Sequence, residues 1–406
     1  MDHDTDRCTS STTKLFIGLT LAVLSIVRAV GVLAGPNGTG GMETNARPTC
    51  ADSLGVFGDE LVNPAPGKIR LPRQNEAAAF AHAALENTYD LPHVGNGAPE
   101  FRECALHSLE LEFQARVELN GRNVLEQRLA FSKCRQADAD DLREVVYEEH
   151  GRTALSGIRW FGGDLTRPFV DLWPAFPVDN AETLAAIAWP ILDHFSKFNV
   201  EELLLWSRPG LWSHPEVEPD RLDHRIHREF GVRVIAGWIE QLIAEPASAK
   251  AQRVAFAPPS SDTYFEWYEG IYRELHRARP ELRYRVPMSE REELESCRAA
   301  GLLQEIWIDG TRAGLIAADS SEYLGQPAIY FHEFVLDAPW RGQGWGPVAQ
   351  RAFLAETRHD PNRREVIAWG TIDAQNPASL RTAMRVGRVP VREEVFIRFD
   401  RQSREA

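Results

Sequence analysis

The segment of this chain best suited to chemistry is a glycine-rich turn that follows an apolar, strand-like run. The run covers residues 329–336, and the turn reads Arg341, Gly342, Gln343, Gly344, Trp345 and Gly346. Glycines let a backbone turn sharply and approach a ligand closely. A helix predicted for residues 346–357 follows at once, so its free amide groups and those of the turn would face one point. Such a site would bind a pyrophosphate, and the Arg341 guanidinium would add positive charge.

Two adjacent groups on the preceding strand could take a proton from an amine. They are His332 and Glu333. Acyl transfer to an amine needs the amine in its neutral form, so a base is required. Neighbours on a strand face opposite sides of the sheet, so only one of the two could look directly into a cleft. Each could also be structural: His332 as a hydrogen-bonded core histidine, and Glu333 as the partner of an arginine such as Arg398.

The elements predicted around the turn form a mixed α/β unit in the order ααβββαβαβ. An Asp309-Gly310 pair between the first two strands indicates a hairpin. The predicted helices are 264–277, 289–300, 346–357 and 377–386, and the predicted strands are 303–308, 313–318, 329–336, 365–372 and 391–399.

This turn and its context resemble the GNAT superfamily of acyl-coenzyme A-dependent N-acyltransferases. The family signature, Q/R-x-x-G-x-G/A, lies between its fourth strand and third helix, and Arg341, Gly344 and Gly346 match it. Downstream, the segment from Asn376 to Ser379 resembles the family's Asn-x-x-Ala/Ser stretch. The resemblance covers about residues 262 to 400. It implies a GNAT-like mixed, mainly antiparallel sheet flanked by helices, in the α/β (α+β) class.

The same resemblance implies acetyl-coenzyme A as co-substrate and assigns residues to it. Main-chain groups of Phe334 and Leu336 would bond the pantetheine as an added strand does. Backbone amides of residues 341–346 would hold the pyrophosphate, and Asn376 would bond the pantetheine arm. Glu333 would be the base, because the family often uses a carboxylate on the fourth strand. No metal is implied.

The chain departs from the family where a tyrosine commonly protonates the departing thiolate. That position, seven residues after the asparagine, is Ala383. Ser379 or Tyr330 could donate instead, and a thiol of pKa about 8.5 leaves easily. Two functions therefore stay open. One is an N-acetyltransferase in which a primary amine attacks the thioester directly in a ternary complex. The other is a catalytically weak acyl-coenzyme A-binding sensor or interaction module.

The first half of the chain could be a diverged copy of the second, so that two such units stand in tandem. Aligning Trp206 with Trp369 leaves residues 178–183 in place of the glycine-rich turn, without a glycine. Asp179 and Glu182 would repel a pyrophosphate there, so this copy should not bind coenzyme A in the usual way. An unrelated α+β domain is the alternative.

Two finer predictions concern this first half. The same alignment sets Val170 at the position of Glu333. Alternating apolar residues at 109–115, a turn at residues 120–121 and a returning strand at 124–131 predict a β-hairpin.

Composition and charge limit the partners. The 406 residues are 43% hydrophobic and 26% charged, which is typical of soluble globular proteins with two or three domains. The net charge of −14 argues against a nucleic-acid partner. The five cysteines have neither zinc nor disulfide spacing, which fits the cytoplasm. The expected acceptor is a small-molecule or peptide amine, and the oligomeric state is not predicted.

The predicted domains are 1–50 as an apolar or disordered extension, 51–245 as a degenerate GNAT-like or other α+β domain, 246–262 as a linker and 263–400 as the GNAT domain. Residues 15–34 are apolar enough for a membrane anchor or a signal peptide. Arg28 interrupts the run, and acidic residues precede it. These features favour an extension outside the folded protein and a cytoplasmic location, with membrane anchoring through residues 15–34 as the alternative.

Overall fold

The computed structural model describes residues 68–90, 99–212, 226–244, 248–360, 363 and 365–399. The apolar segment at residues 15–34 lies outside these ranges. Among the helices that are described, none combines the length and the apolar character needed to span a bilayer.

The described residues form nine α-helices and twelve strands. In chain order they are β1 (Lys68–Arg70), α1 (Ala77–Thr88), α2 (Pro99–Glu118), α3 (Arg122–Ser132), β2 (Val145–Glu149), β3 (Arg152–Trp160), β4 (Pro168–Pro174), α4 (Ala181–His194), β5 (Glu202–Ser207), β6 (Ile226–Trp238), α5 (Ile239–Ile243), β7 (Val254–Ala257), α6 (Thr263–Ala278), α7 (Arg291–Ala299), β8 (Leu303–Ile308), β9 (Thr311–Tyr323), β10 (Gln326–Leu336), α8 (Trp345–His359), β11 (Ile367–Asp373), α9 (Pro377–Val386) and β12 (Val389–Phe399).

The strands form one twelve-stranded sheet in the order β1-β2-β3-β4-β5-β12-β6-β11-β10-β9-β8-β7. Only β4 with β5 and β10 with β11 run parallel, and the other neighbours are antiparallel. The predicted mixed, mainly antiparallel sheet is therefore confirmed. Read from either edge, the sheet has the same succession of pairings: three antiparallel, one parallel, one antiparallel, and then the central pair of β12 and β6.

The two halves of the chain interleave at the centre of this sheet. β6, from the first half, lies between β11 and β12. β12, from the second half, lies between β5 and β6. Part of the predicted linker also belongs to the sheet, because β7 pairs with β8 at one edge. In each half, the inner strand of the parallel pair therefore has a strand of the other half as its next neighbour: β12 for β5, and β6 for β11.

Helices cover both faces of the sheet, and successive side chains of β9 point to opposite faces. Ile316 packs with α8, whereas Leu315 packs with α6 and α7. The helices α1 and α2 lie on the same face as α6, over the middle of the sheet. We call this the α6 face and the opposite one the α8 face.

The hairpin predicted for residues 109–131 is wrong. These residues form the end of α2 and most of α3. Leu109 and Phe113 are four residues apart and therefore point to the same side of a helix, where both are buried with Ala105. The turn at Asn120 connects two helices, and its side chain bonds both backbone groups of Glu144.

The strand pairings correct the alignment of the two halves by one residue. The β2–β3 and β8–β9 hairpins have equivalent turns, each with two left-handed residues. Counted from those turns, with the register shift beside Trp307 allowed for, Gly157 corresponds to Ala317. Gly157 pairs with Asp171, and Ala317 pairs with Glu333. If the halves are copies, Asp171 and not Val170 takes the place of Glu333.

Candidate functional site

An opening in the sheet lies between β10 and β11. These strands pair only from Ala328 to Tyr330, opposite Ile367 to Trp369. Beyond that point β10 continues to Leu336 along β9, while β11 continues to Asp373 along β6. The facing edges of the two parallel strands are therefore unpaired with each other over their second halves.

The glycine-rich turn lies at the end of β10, beside this opening. Gly342 and Gly344 have φ of 73° and 79°, the left-handed region that a glycine adopts without strain. Gly346 has a different requirement, because a Cβ there would come within 2.9 Å of Thr382 on α9. The turn leads directly into α8 at Trp345. A helix N-terminus and its free amides thus lie next to the opening.

Three basic side chains surround the turn, and one of them was predicted. Arg341 donates from Nε to the Leu336 carbonyl at 2.7 Å. Lys250 donates to the Gln343 carbonyl at 2.8 Å and lies 4.8 Å from the centre of the Trp345 ring. Arg253 lies over the same ring at 5.0 Å. Lys250 and Arg253 were not predicted, because both lie in the segment interpreted as a linker.

The groups predicted to bind pantetheine already have partners within the chain. The Phe334 amide donates to Glu333 Oε1 at 2.8 Å, and the Leu336 carbonyl accepts from Arg341. Asn376 Oδ1 accepts from the Ser379 amide at 3.2 Å and so caps α9. Pantetheine would have to replace Glu333 at the Phe334 amide, whereas the Leu336 carbonyl has a second lone pair and Asn376 has its Nδ2 group.

Glu333 is at the centre of a buried hydrogen-bond network on the α6 face. Tyr268 and Tyr272 of α6 donate to its Oε2 at 2.5 and 2.8 Å. The Ser289 amide in turn donates to the Tyr268 oxygen at 2.8 Å. Burial raises the pKa of the Glu333 carboxyl, and the hydrogen bonds from Tyr268, Tyr272 and Phe334 oppose that shift. Both carboxylate oxygens of Glu333 are therefore engaged.

His332 has a different environment, created by an irregularity in β10. The pairing of β10 with β9 skips His332. Its Nε2 lies 2.8 Å from Asp319 Oδ2, and both side chains are partly exposed, at 16% and 24%. A bulge re-aims a side chain, which explains why His332 and Glu333 are not simply on opposite faces. Neither the bulge nor Asp319 was predicted.

The candidate proton donors to the thiolate lie in two places. Tyr330 is the last residue of β10 that pairs with β11, and its hydroxyl lies 3.2 Å from that of Thr371. Burial raises the pKa of Tyr330. Ser379 lies in the first turn of α9, beside Asn376. Ala383, where the family has its tyrosine, is fully buried.

The corresponding loop of the first half lacks these features. Between β4 and α4, none of residues 175–180 has a left-handed backbone. Asn180 caps α4 by accepting from the Thr183 amide at 2.8 Å, and Val178 is buried in the core. Nothing in this loop forms a nest of free amides beyond the capped helix end.

The second half has the strand and helix order that the resemblance implied. Counted from β7, β10 is the fourth strand and β11 the fifth, and α8 is the third helix after α6 and α7. The glycine-rich turn joins the fourth strand to the third helix, beside the opening between strands four and five. The fold is GNAT-like. Among the described residues, no group of three or more His, Cys, Asp and Glu side chains could hold a metal ion.

Comparisons with known proteins give structural similarity only. No family model matches the chain, and no curated protein matches it. A GCN5-related N-acetyltransferase from Sphaerobacter thermophilus is 14% identical with a TM-score of 0.46, covering 83% of this chain and 97% of that one. A GCN5-related N-acetyltransferase from Kribbella flavida is 15% identical with a TM-score of 0.34, covering 61% and 86%. A tandem GNAT protein from the clavulanic acid pathway is 14% identical with a TM-score of 0.36, covering 68% and 95%.

Proposed function

We propose that this protein is an acyl-coenzyme A-dependent N-acyltransferase that transfers an acetyl group to a primary amine. The observation that carries the proposal is the opening between β10 and β11, beside a left-handed glycine turn and the N-terminus of α8. Amides of residues 341–346 would hold the pyrophosphate, with Arg341 and Lys250 supplying positive charge. The pantetheine would lie in the opening along the edge of β10.

The acceptor would approach from the α6 face, where acidic groups face the opening. Tyr330 lies at the point where the strands separate, and Asp319 and Glu293 add to the effect of burial in raising its pKa. Asp373 ends β11 on the other side, with Arg285 3.6 Å from its Oδ2. Carboxylates at this position would attract a cationic amine before it loses its proton.

We assign the general base to His332, oriented by Asp319. An imidazole bonded through one nitrogen to a carboxylate is held in one orientation, and its other nitrogen can take a proton. His332 is partly exposed, whereas both oxygens of Glu333 already accept hydrogen bonds. Glu333, the base favoured by the family resemblance, would instead position β10 and α6 around the opening.

The reaction would then proceed by direct attack. The neutral amine nitrogen attacks the thioester carbonyl carbon, and the bond from that carbon to sulfur breaks while His332 takes the proton that the nitrogen loses as the amide forms. The departing thiolate then receives that proton from the imidazolium of His332, directly or through the Tyr330 hydroxyl. Burial raises the pKa of Tyr330, so its hydroxyl stays protonated and would relay a proton from His332 rather than give up its own.

A glycine pair tests the coenzyme site. Gly344→Glu should lose coenzyme A binding, because it places a carboxylate and a strained backbone in the pyrophosphate turn. Gly301→Glu is the matched control: Gly301 has a φ of 71°, a Cβ added there would have no atom within 4 Å, and it lies outside the turn. Calorimetry should show binding in the wild type and the control only. Equal coenzyme A binding by the wild type and both variants would contradict the site assignment.

The buried Ala383 in place of the family tyrosine favours one other function, an acyl-coenzyme A-binding sensor. The two functions differ in turnover. Thioester consumption with a panel of small-molecule and peptide amines should show acetyl transfer if the protein is an enzyme. Coenzyme A binding without turnover of any amine would favour the sensor.

We also propose that the two halves are copies of one unit, of which only the second kept the coenzyme site. The support is the succession of strand pairings, which is the same from both edges of the sheet. The glycine-free loop before α4 supports the loss of coenzyme binding in the first half. The domain boundary would still fall between β6 and β7, near residues 246–262.

A further inference from the structure

A polar cavity in the first half lies at the position that corresponds to the proposed acceptor site of the second half. It is on the α6 face, at the end of β4, and Asp171 in its wall occupies the strand position of Glu333. Its other polar lining comes from α1, α2, β3 and β12, and two tryptophans complete the wall. These residues are Thr88, Glu112, Arg116, Arg159, Arg392, Trp173 and Trp206.

One wall of the cavity is a closed ion-pair cluster. The fully buried Glu144 carboxylate contacts Arg116, Arg159 and Arg128 at 3.0, 2.6 and 3.6 Å. These arginines hold the pKa of Glu144 at about 2, against its burial. Arg159 and Arg116 are held in place by these contacts, so they form the frame of the cavity.

Arg392 is different, because it is buried without a carboxylate partner. Its side chain is nine-tenths buried, and its guanidinium lies 4.1 Å from the Trp206 ring centre. Nη1 donates to the Tyr89 hydroxyl at 2.8 Å, but Nε has no hydrogen-bond partner. No carboxylate of a described residue lies within ion-pair distance of it. Burial lowers the pKa of Arg392, but Tyr89 and the carboxylates of Glu112 and Asp171, which lie beyond ion-pair distance, outweigh that effect and raise the pKa. The guanidinium therefore has no direct ion-pair partner, and its Nε is available to a carboxylate oxygen.

The opposite side of the cavity is complementary to a cation. Asp171 bonds Arg116 through Oδ2 at 3.2 Å, while its buried Oδ1 has no partner. Glu112 faces the same space, where burial raises the pKa of its carboxyl and Arg392 and Arg116 oppose that shift. The cavity measures about 40 Å³, room for about three water molecules at roughly 10–15 Å³ each.

We propose that this cavity binds a small zwitterion, of the class of a free α-amino acid with a small side chain. Its carboxylate would pair with Arg392, and its ammonium would pair with Asp171 Oδ1 and Glu112. The site is distinct from the coenzyme site. It would join α1 and α2 of the first half to β12 of the second, because the ligand would contact residues of all three.

Calorimetry on the full chain, without coenzyme A, tests this assignment. Glycine and L-alanine are the probes, and acetate and methylammonium are the half-ligands. The zwitterions should bind at least about tenfold more tightly than either half-ligand, because only they satisfy both ends. No binding of either amino acid, or binding equal to that of acetate or chloride, would overturn the proposal.

Variants separate the site from the fold. Asp171→Asn and Arg392→Gln should each weaken glycine binding at least about tenfold. Arg122→Gln changes an exposed arginine on α3 and should leave binding unchanged. Circular dichroism and thermal unfolding check the fold of each variant. If Arg392→Gln does not fold, Asp171→Asn alone decides, and wild-type affinity in a folded Asp171→Asn protein would remove the site.

Discussion

His332 and Glu333 are neighbours in the chain, yet their side chains differ in exposure and in the number of hydrogen bonds they make. Glu333 accepts three hydrogen bonds from within the protein, whereas His332 has one carboxylate partner and partial exposure. We predict that His332→Gln lowers kcat/KM about 100-fold or more, because general-base catalysis contributes at least that much. The acid limb of the pH profile should flatten. A variant that keeps both the rate and the limb would exclude His332 as the base.

Glu333→Gln is the matched comparison. It should keep the shape of the pH profile, because it leaves the His332–Asp319 pair intact. We expect the free energy of unfolding to fall by about 1–3 kcal/mol, since an amide cannot accept from all the present donors. Denaturant titration measures this change. If the acid limb is lost here and kept in His332→Gln, Glu333 is the base.

Residue-scale prediction succeeded where the signal is local. The left-handed glycines of the turn, Gly342 and Gly344, could be identified because such φ angles follow from adjacent residues. The partners of Glu333 could not, because Tyr268 and Tyr272 are 65 and 61 residues away in the chain. Asp319 was missed for a further reason: a single bulge changes which way His332 points.

At the scale of the elements, a buried carboxylate leaves no room for a side chain at one glycine of β3. A Cβ on Gly157 would lie 2.1 Å from Glu144 Oε1. Gly157→Ala should therefore displace Glu144 from its arginines and lower the free energy of unfolding by about 3–5 kcal/mol. Gly270→Ala is the control in α6, where no atom lies within 4 Å of the added carbon. There we expect stabilisation by about 0.5–1 kcal/mol from helix propensity. Equal effects in urea unfolding would contradict this view of Gly157.

The same cluster predicts a pH dependence. The pKa of Glu144 is lowered from 4.5 to about 2, chiefly because Arg159 and Arg116 overcome its burial. A depressed carboxyl pKa stabilises the fold fully above pH 4.5, and this contribution is lost as pH falls towards about 2. Glu144→Gln should flatten the fall of stability across that range while lowering stability at pH 7. Parallel wild-type and variant curves between pH 4.5 and 2 would contradict it.

Element prediction failed where two periodicities overlap. Leu109 and Phe113 fit both an alternating strand and the i, i+4 spacing of a helix. Packing decides between them, because α2 buries both residues against the α6 face of the sheet. The strands that flank the glycine turn had no such ambiguity, and β10 was predicted within three residues of its observed start.

On the scale of the whole molecule, the exchange of β6 and β12 makes the halves interdependent. We predict that residues 248–406 expressed alone will be insoluble or unfolded, because β11 and β12 would both lack β6 as a neighbour. Co-expression with residues 1–244 should restore a soluble complex, detected by size-exclusion chromatography. A folded second half that binds coenzyme A by itself would contradict this dependence.

The exchange could not be predicted from the sequence. Residues 391–399 were correctly predicted as a strand, but a strand's apolar pattern does not specify which edge it pairs with. β12 could close its own unit next to β11, yet it lies between β5 and β6 instead. The choice between these edges depends on connections and long-range packing, which the pattern of one strand does not contain.

The interleaved centre also has a consequence for synthesis on the ribosome. β12 is the last described strand to be synthesised. Until then, β5 and β6 each have an unpaired edge. The first half therefore cannot complete its folding when it emerges, although domains commonly fold in that order. Exposed edges recruit other strands, so the period between the synthesis of β6 and β12 is when this chain is most vulnerable to misassembly. Slowing translation after β6 should increase chaperone dependence rather than assist folding.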